Sequence, residues 1–182
     1  MQNMTKIKVL MIAAICLVAI VVFTNSTVKA LPKQYTERPY RVVASTDPPC
    51  MQMYFFIEQY ADSFNIPKRF AYGVALAETG YQGPFHWNYN HAQGSSAGAL
   101  GPMQIMLPTA RSNNNDNVSR ERLRNDIEYN VRTSMKVLRK LYNKYGDWKT
   151  VFGCYNTGRP CVNGYAIRVY NHQINWNIPK NI

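Results

Sequence analysis

The chain has 182 residues, 46% of them apolar, and carries 21 Lys and Arg against 10 Asp and Glu, a formal charge of +11. That size supports one ordinary hydrophobic core rather than several. The positive balance favours a polyanionic partner such as nucleic acid, an acidic cell wall or an anionic membrane surface, although a need for solubility alone would account for it equally well.

The N-terminus places Lys6 and Lys8 before fifteen uninterrupted apolar residues, Val9 to Phe23, and a polar stretch ending Val28-Lys29-Ala30. A basic start, an apolar middle and small residues at the end predict a signal peptide over residues 1–30, cleaved after Ala30. Fifteen helical residues rise only about 22 Å, short of the roughly 30 Å hydrocarbon core, so an uncleaved anchor is the weaker alternative. In that case residues 9–23 would be the only membrane contact. Cys16 follows Ile15 rather than a small residue, which argues against lipidation there.

Residues 31–49 are polar and hold four prolines, which reads as an extended leader. The globular domain is expected over residues 50–182. Export would leave 18 basic against 10 acidic residues, a formal +8, and three cysteines, Cys50, Cys154 and Cys161. No CxxC occurs and His86, His91 and His172 are scattered, so no metal site and no cofactor are expected.

A first amphipathic helix is expected from Met51, with Tyr54, Ile57, Tyr60, Ala61 and Phe64 at helical spacing before Pro67. A second carries Phe70, Val74 and Ala75 on one face and runs to Glu78-Thr79, with Gly80 as its stop. Residues 81–101 are aperiodic and rich in glycine and aromatics, a loop of functional length. A short helix is expected over Gln104–Ala110, followed by a polar, mobile connection over Ser112–Asn117. The clearest helix has Leu123, Ile127, Val131, Ser134, Leu138, Leu141 and Tyr145 in register, with Asp126 as a candidate N-cap and Gly146 as its end. Two shorter helices are expected over Asp147–Tyr155 and Asn163–Asn171. No alternating strand pattern of useful length appears, so the fold class is mainly α.

Between Glu78 and Asp116 there is no acidic residue, which leaves Glu78 alone beside the aromatic loop. A lone carboxylate near a helix end is often only a surface residue. Yet negative charge at a helix C-terminus is mildly unfavourable. Partial burial among apolar groups also raises a carboxyl pKa, so that the group can hold a proton at neutral pH and deliver it to a leaving oxygen, as cleavage of a glycoside requires.

Three blocks in order carry a resemblance: Ala75-Leu-Ala-Glu78-Thr-Gly80; Ser95-Ser-Ala-Gly98-Ala-Leu-Gly101-Pro-Met103-Gln104-Ile-Met-Leu-Pro108-Thr-Ala110; and Cys154-Tyr155-Asn156-Thr-Gly158 with Tyr165 and Val169. Together with Asp126, Asn130 and Leu138 in the long helix, they resemble the catalytic domain of soluble lytic transglycosylases, relatives of goose-type lysozyme, over about Ile57 to Val169. The resemblance implies a single-domain lysozyme-like fold. It implies cleavage of peptidoglycan glycan strands between N-acetylmuramic acid and N-acetylglucosamine, with Glu78 as acid/base and Ser95, Met103, Gln104, Tyr155, Asn156 and Tyr165 lining the glycan cleft. Thr79 stands where the family usually has Ser, Pro102 where Leu is common, and Cys154 where Ala is common. The loop Tyr81 to His91 is longer than usual; it reads either as a wall of rings for sugar stacking or as a satellite hydrophobic cluster, with neither favoured.

A hydrolytic goose-type lysozyme or chitinase is the alternative, and would need a second carboxylate. A non-catalytic wall-binding module would not need Glu78, and no nucleic-acid docking motif is present. Wall turnover, a secretion or conjugation assembly, and phage entry or lysis remain compatible settings, a short tethered domain fitting a dedicated hole-making role slightly better. Cys154 and Cys161 bracket a turn containing Gly158 and Pro160, so they are expected to pair in an oxidising compartment, with Cys50 to either as the rival pairing.

Overall fold

A computed structural model describes residues 46–176. The expected signal segment over residues 1–30, with Cys16, and most of the expected leader lie outside them. Seven helices and one two-stranded hairpin make up the described residues: α1 Pro49–Ser63, α2 Lys68–Thr79, β1 Ala99–Leu100, β2 Ile105–Met106, α3 Leu107–Asn113, α4 Arg120–Asn125, α5 Ile127–Tyr145, α6 Trp148–Thr157 and α7 Gly164–Tyr170. The fold is mainly α, as the periodicity predicts.

The helix ends follow their local chemistry. Pro49 opens α1, where its missing N–H costs nothing. Ser119, Asp126, Asp147 and Asn163 each accept a hydrogen bond from a backbone N–H in the first turn that follows. Gly80, Gly146 and Gly158 end their helices in the left-handed conformation.

At the centre lies α5, which buries Val131, Ser134, Met135 and Leu138 along its inner face. It packs against α1 on one side and α6 on the other, while α7 closes onto α6 and α2. Burial of each large apolar side chain, Ile57, Met53 and Leu138 among them, contributes about 1.5–3 kcal/mol. An aromatic group of Phe70, Trp148, Phe152 and Tyr170 joins α2, α6 and α7, with ring centroids 5.1–5.7 Å apart. The first turn of α2 is thereby fixed beside the end of α7, where Arg69 also donates to the Tyr170 carbonyl at 2.7 Å.

Three expectations differ from the structure. The helix expected over Gln104–Ala110 begins only at Leu107, because Gln104 is left-handed and Ile105–Met106 pair with Ala99–Leu100 as an antiparallel hairpin. Two-residue strands are too short to leave an alternating pattern in sequence. Leu123 does not belong to the long helix: it sits in α4, and Asp126 ends α4 while capping α5. The polar run expected to be a mobile connection is tied down, Asn114 donating to Thr133 Oγ1 at 3.0 Å and Asp116 accepting from Tyr129 at 2.8 Å.

Candidate active site

Glu78 stands in the last turn of α2, half-buried next to the exposed Leu76 and Ala77. Its Oε1 accepts a 2.5 Å hydrogen bond from the Tyr165 hydroxyl on α7. Burial pushes the carboxyl pKa above its usual range, and the Tyr165 hydrogen bond, which favours the carboxylate, pulls it only part of the way back. Among the described residues no second carboxylate contributes to that shift. The two acids best placed in sequence to serve as partner are engaged elsewhere. Asp116 accepts from Tyr129 and pairs with Arg122 at 2.9 Å, and Asp126 caps α5.

Tyr155, another of the expected site residues, is held in place by two hydrogen bonds. Its hydroxyl donates to the Met103 carbonyl at 2.7 Å and lies 2.7 Å from Ser134 Oγ, so that with its proton committed Ser134 must be the donor. Both Tyr155 and Tyr165 have pKa values raised by burial and then by the charge of Glu78. Both phenols thus lie within electrostatic reach of Glu78, and Tyr165 is hydrogen-bonded to it.

Asn130, fully buried on α5, holds the loop containing Met103 in place. Its Nδ2 donates to the carbonyls of Leu100 and Leu123 at 2.9 and 2.8 Å, and its Oδ1 accepts from the Met103 N–H at 2.9 Å. The backbone at Gly101 is left-handed and comes so close that an added Cβ would lie 2.2 Å from the Leu123 carbonyl oxygen and 2.5 Å from Asn130 Nδ2. Only glycine permits that approach.

The loop after α2 is fastened next to Glu78. Thr79 Oγ1 is 2.8 Å from the Pro102 carbonyl, to which it donates, and accepts from Tyr89 at 2.7 Å. The rings of the aromatic loop divide by residue. Tyr81 and Tyr89 are buried, pack edge to face at 5.1 Å and join the main core, where Tyr81 stacks on Tyr72 of α2 at 6.3 Å, rather than forming a satellite cluster. Phe85 and Trp87 are 42% and 64% exposed and touch each other at 6.1 Å.

The remaining expected cleft residues take different places. Met103 is fully buried, so its side chain belongs to the core and its backbone to the site. Gln104, at φ +49°, donates to the Gly101 carbonyl at 2.8 Å, and its amide nitrogen is used in holding the turn. Ser95 is exposed and its Oγ accepts from the Ala99 N–H at 3.0 Å, while Asn156 is exposed and accepts from Asn163 at 3.2 Å. Ser134 and the Thr79–Tyr89 link were not among the expected site residues. Ser134 leaves one trace in the sequence, a hydroxyl at an apolar-register position of α5, where it is buried alongside the polar Asn130 and Thr133.

Residues 55–178 match the sequence profile of the Transglycosylase SLT domain. The chain belongs to that family. In three-dimensional comparison it is similar to the 70 kDa soluble lytic transglycosylase of Escherichia coli and to a 70 kDa soluble lytic transglycosylase in complex with bulgecin A. Each aligns at 24% identity with a TM-score of 0.50, over 63% of this chain and 18% of that one. It also aligns with an inactive mutant of the lytic transglycosylase Slt from Pseudomonas aeruginosa at 18% identity and a TM-score of 0.46, over 57% of this chain and 16% of that one. This SLT-domain chain thus spans under a fifth of the length of the structures it matches, and at these identities the likeness is one of fold. No curated protein matches its sequence.

The expected Cys154–Cys161 disulfide is not formed; all three described cysteines are free. Cys161 lies against the side of α6 that carries Gly153 and Thr157. Its Sγ is 3.6 Å from Thr157 Oγ1, and its carbonyl oxygen would be 1.8 Å from a Cβ on Gly153. Cys154 is the next residue round the helix, about 100° from that row, and is buried.

Proposed function

We propose that this SLT domain cleaves the β-1,4 bond between N-acetylmuramic acid and N-acetylglucosamine in peptidoglycan and leaves a 1,6-anhydro-muramyl end. The observation that carries the reading is a single half-buried carboxyl, raised in pKa, with a phenol hydrogen-bonded to it and no carboxylate partner among the described residues. Such a group starts protonated and delivers its proton to the glycosidic oxygen. The Tyr165 hydroxyl then favours the carboxylate so formed, which removes the proton from the C6 hydroxyl of the same muramyl sugar. That oxygen attacks C1, the bond to the leaving sugar breaks, and Glu78 is protonated again. Because the nucleophile belongs to the substrate, attack is intramolecular and gains from positioning what a second carboxylate would otherwise supply.

Lengths and small-residue positions in residues 1–30 support export to the cell envelope, and N-terminal sequencing of protein recovered from there should begin at Leu31. The catalytic reading is tested by incubating Glu78→Gln protein with purified peptidoglycan. Release of soluble fragments should fall by about 10²- to 10⁴-fold, the range for one proton-transfer group. Undiminished release by the variant would remove Glu78 as the catalytic group, whereas no release by the wild-type chain would leave a wall-binding module.

A further inference from the structure

The long central helix carries a feature that the catalytic reading does not use. Arg132, Lys136, Lys140 and Lys144 follow one another at intervals of four along α5. Each is about 6 Å further along the axis and 40° further round it, giving a winding row about 18 Å long. Like charges at this spacing repel and destabilise a helix, yet none of the four makes an ion pair among the described residues.

Neutral groups hold them instead. Asn113 and Asn114 use their Nδ2 atoms to cap the carbonyls of Thr109 and Ala110, and present their Oδ1 atoms to Lys140 at 3.3 Å and Lys136 at 3.0 Å. Arg132 rests 5.7 Å from the Tyr129 ring centroid, and its Nε is buried without a hydrogen-bond partner. Lys144 lies over the ring of Tyr145 at 5.0 Å. Glu128, one interval before Arg132, accepts instead from Tyr60 on α1. Most of the lysine donors therefore stay available, in a field that raises the free energy of each charge.

We infer that this face of α5 docks a flexible linear polyanion, a phosphodiester-linked polymer without bases, whose charges recur at roughly the row's own interval of about 6 Å. Two observations select that class. A helix that lies on an anionic membrane presents large apolar side chains to it, and the exposed large apolar residues, Leu76, Phe85, Trp87, Met106, Val162, Ile167 and Ile174, all lie outside α5. Binding of single-stranded nucleic acid relies on bases stacked on exposed rings, whereas Tyr142 and Tyr145 are half-buried, the former stacked on Trp148 at 4.4 Å. The inference concerns a surface separate from Glu78 and does not depend on its chemistry.

The test titrates the full chain against a fluorescent glycerol-phosphate oligomer over a range of salt. Four contacts predict a log–log salt slope of about −3. The variant Arg132→Gln, Lys136→Gln, Lys140→Gln, Lys144→Gln should bind about tenfold or more weakly, with a melting temperature no lower than that of the parent. The milder pair Lys140→Gln, Lys144→Gln, both exposed, gives a graded loss if the fourfold variant fails to fold. A second fourfold variant at Arg120, Arg124, Lys149 and Arg159 removes the same charge elsewhere and should bind as the parent does. Equal loss in both fourfold variants would reduce the effect to net charge and overturn the inference. Tighter binding to an oligothymidylate or to phosphatidylglycerol vesicles than to the glycerol-phosphate oligomer would overturn it as well.

Discussion

The Tyr165 hydroxyl donates to Glu78 Oε1 at 2.5 Å, joining residues 87 positions apart on α7 and α2. The hydrogen bond favours the charged carboxyl, while burial disfavours it, and burial is the larger effect. Tyr165→Phe should therefore raise the Glu78 pKa further. Because the acid form starts the reaction, the alkaline limb of the pH–rate profile should move to higher pH. Turnover should also fall by about 10- to 100-fold, since a hydrogen bond to a charged group contributes roughly 1.5–3 kcal/mol. A purely structural tyrosine would lower activity without moving that limb.

The same balance makes a prediction for stability. Glu78 binds its proton more tightly in the folded protein than in the unfolded chain, so its contribution is most favourable below its unfolded pKa of about 4.5 and is lost as pH rises through the higher folded value. Glu78→Gln removes that loss. Its melting temperature should exceed the parent's at pH 7 and converge with it near pH 4, as followed by circular dichroism across the pH range.

Asn130 should be among the most sensitive positions outside the cleft. Asn130→Leu leaves the Met103 N–H and the carbonyls of Leu100 and Leu123 buried without their partner, at about 1–3 kcal/mol for each group. Denaturant unfolding should show a loss of roughly 3 kcal/mol or more, and any folded fraction should show weakened activity as Met103 and Tyr155 shift together.

Thiol chemistry should follow burial. Cys50 and Cys154 are buried, and burial raises the Cys50 pKa, while Cys161 is only partly covered. In native protein a maleimide should label Cys161 well before the other two, and non-reducing peptide mapping should find all three as thiols. Recovery of a peptide joining Cys154 to Cys161 would contradict the structure here.

Helix periodicity was enough to read the α fold, because apolar residues at three- and four-residue intervals, Ile127 to Tyr145 above all, report burial directly. Capping chemistry placed Asp126, Gly80 and Gly146 for the same reason. What escaped were contacts made across the chain. The Asp126 break was hidden because Leu123 happens to continue the spacing of α5, and the 99–106 hairpin because its strands are two residues long. Around Glu78, the lone carboxylate and its three motif blocks pointed to the candidate site. The hydroxyl links from Thr79 to Tyr89 and from Ser134 to Tyr155 join separate segments whose sequences each read as ordinary core. The cysteine pair looked bridgeable by sequence distance, whereas the helical turn between Gly153 and Cys154 decides which of them faces Cys161.

The most direct test of the central claim is mass spectrometry of the fragments released from purified peptidoglycan by the wild-type chain. A lone Glu78 acting as acid and then base predicts 1,6-anhydro-muramyl ends, 18 Da lighter than the hydrolytic products by about one water. Fragments carrying only reducing muramyl ends would contradict the account, and would require a water-activating group that the site as described does not provide.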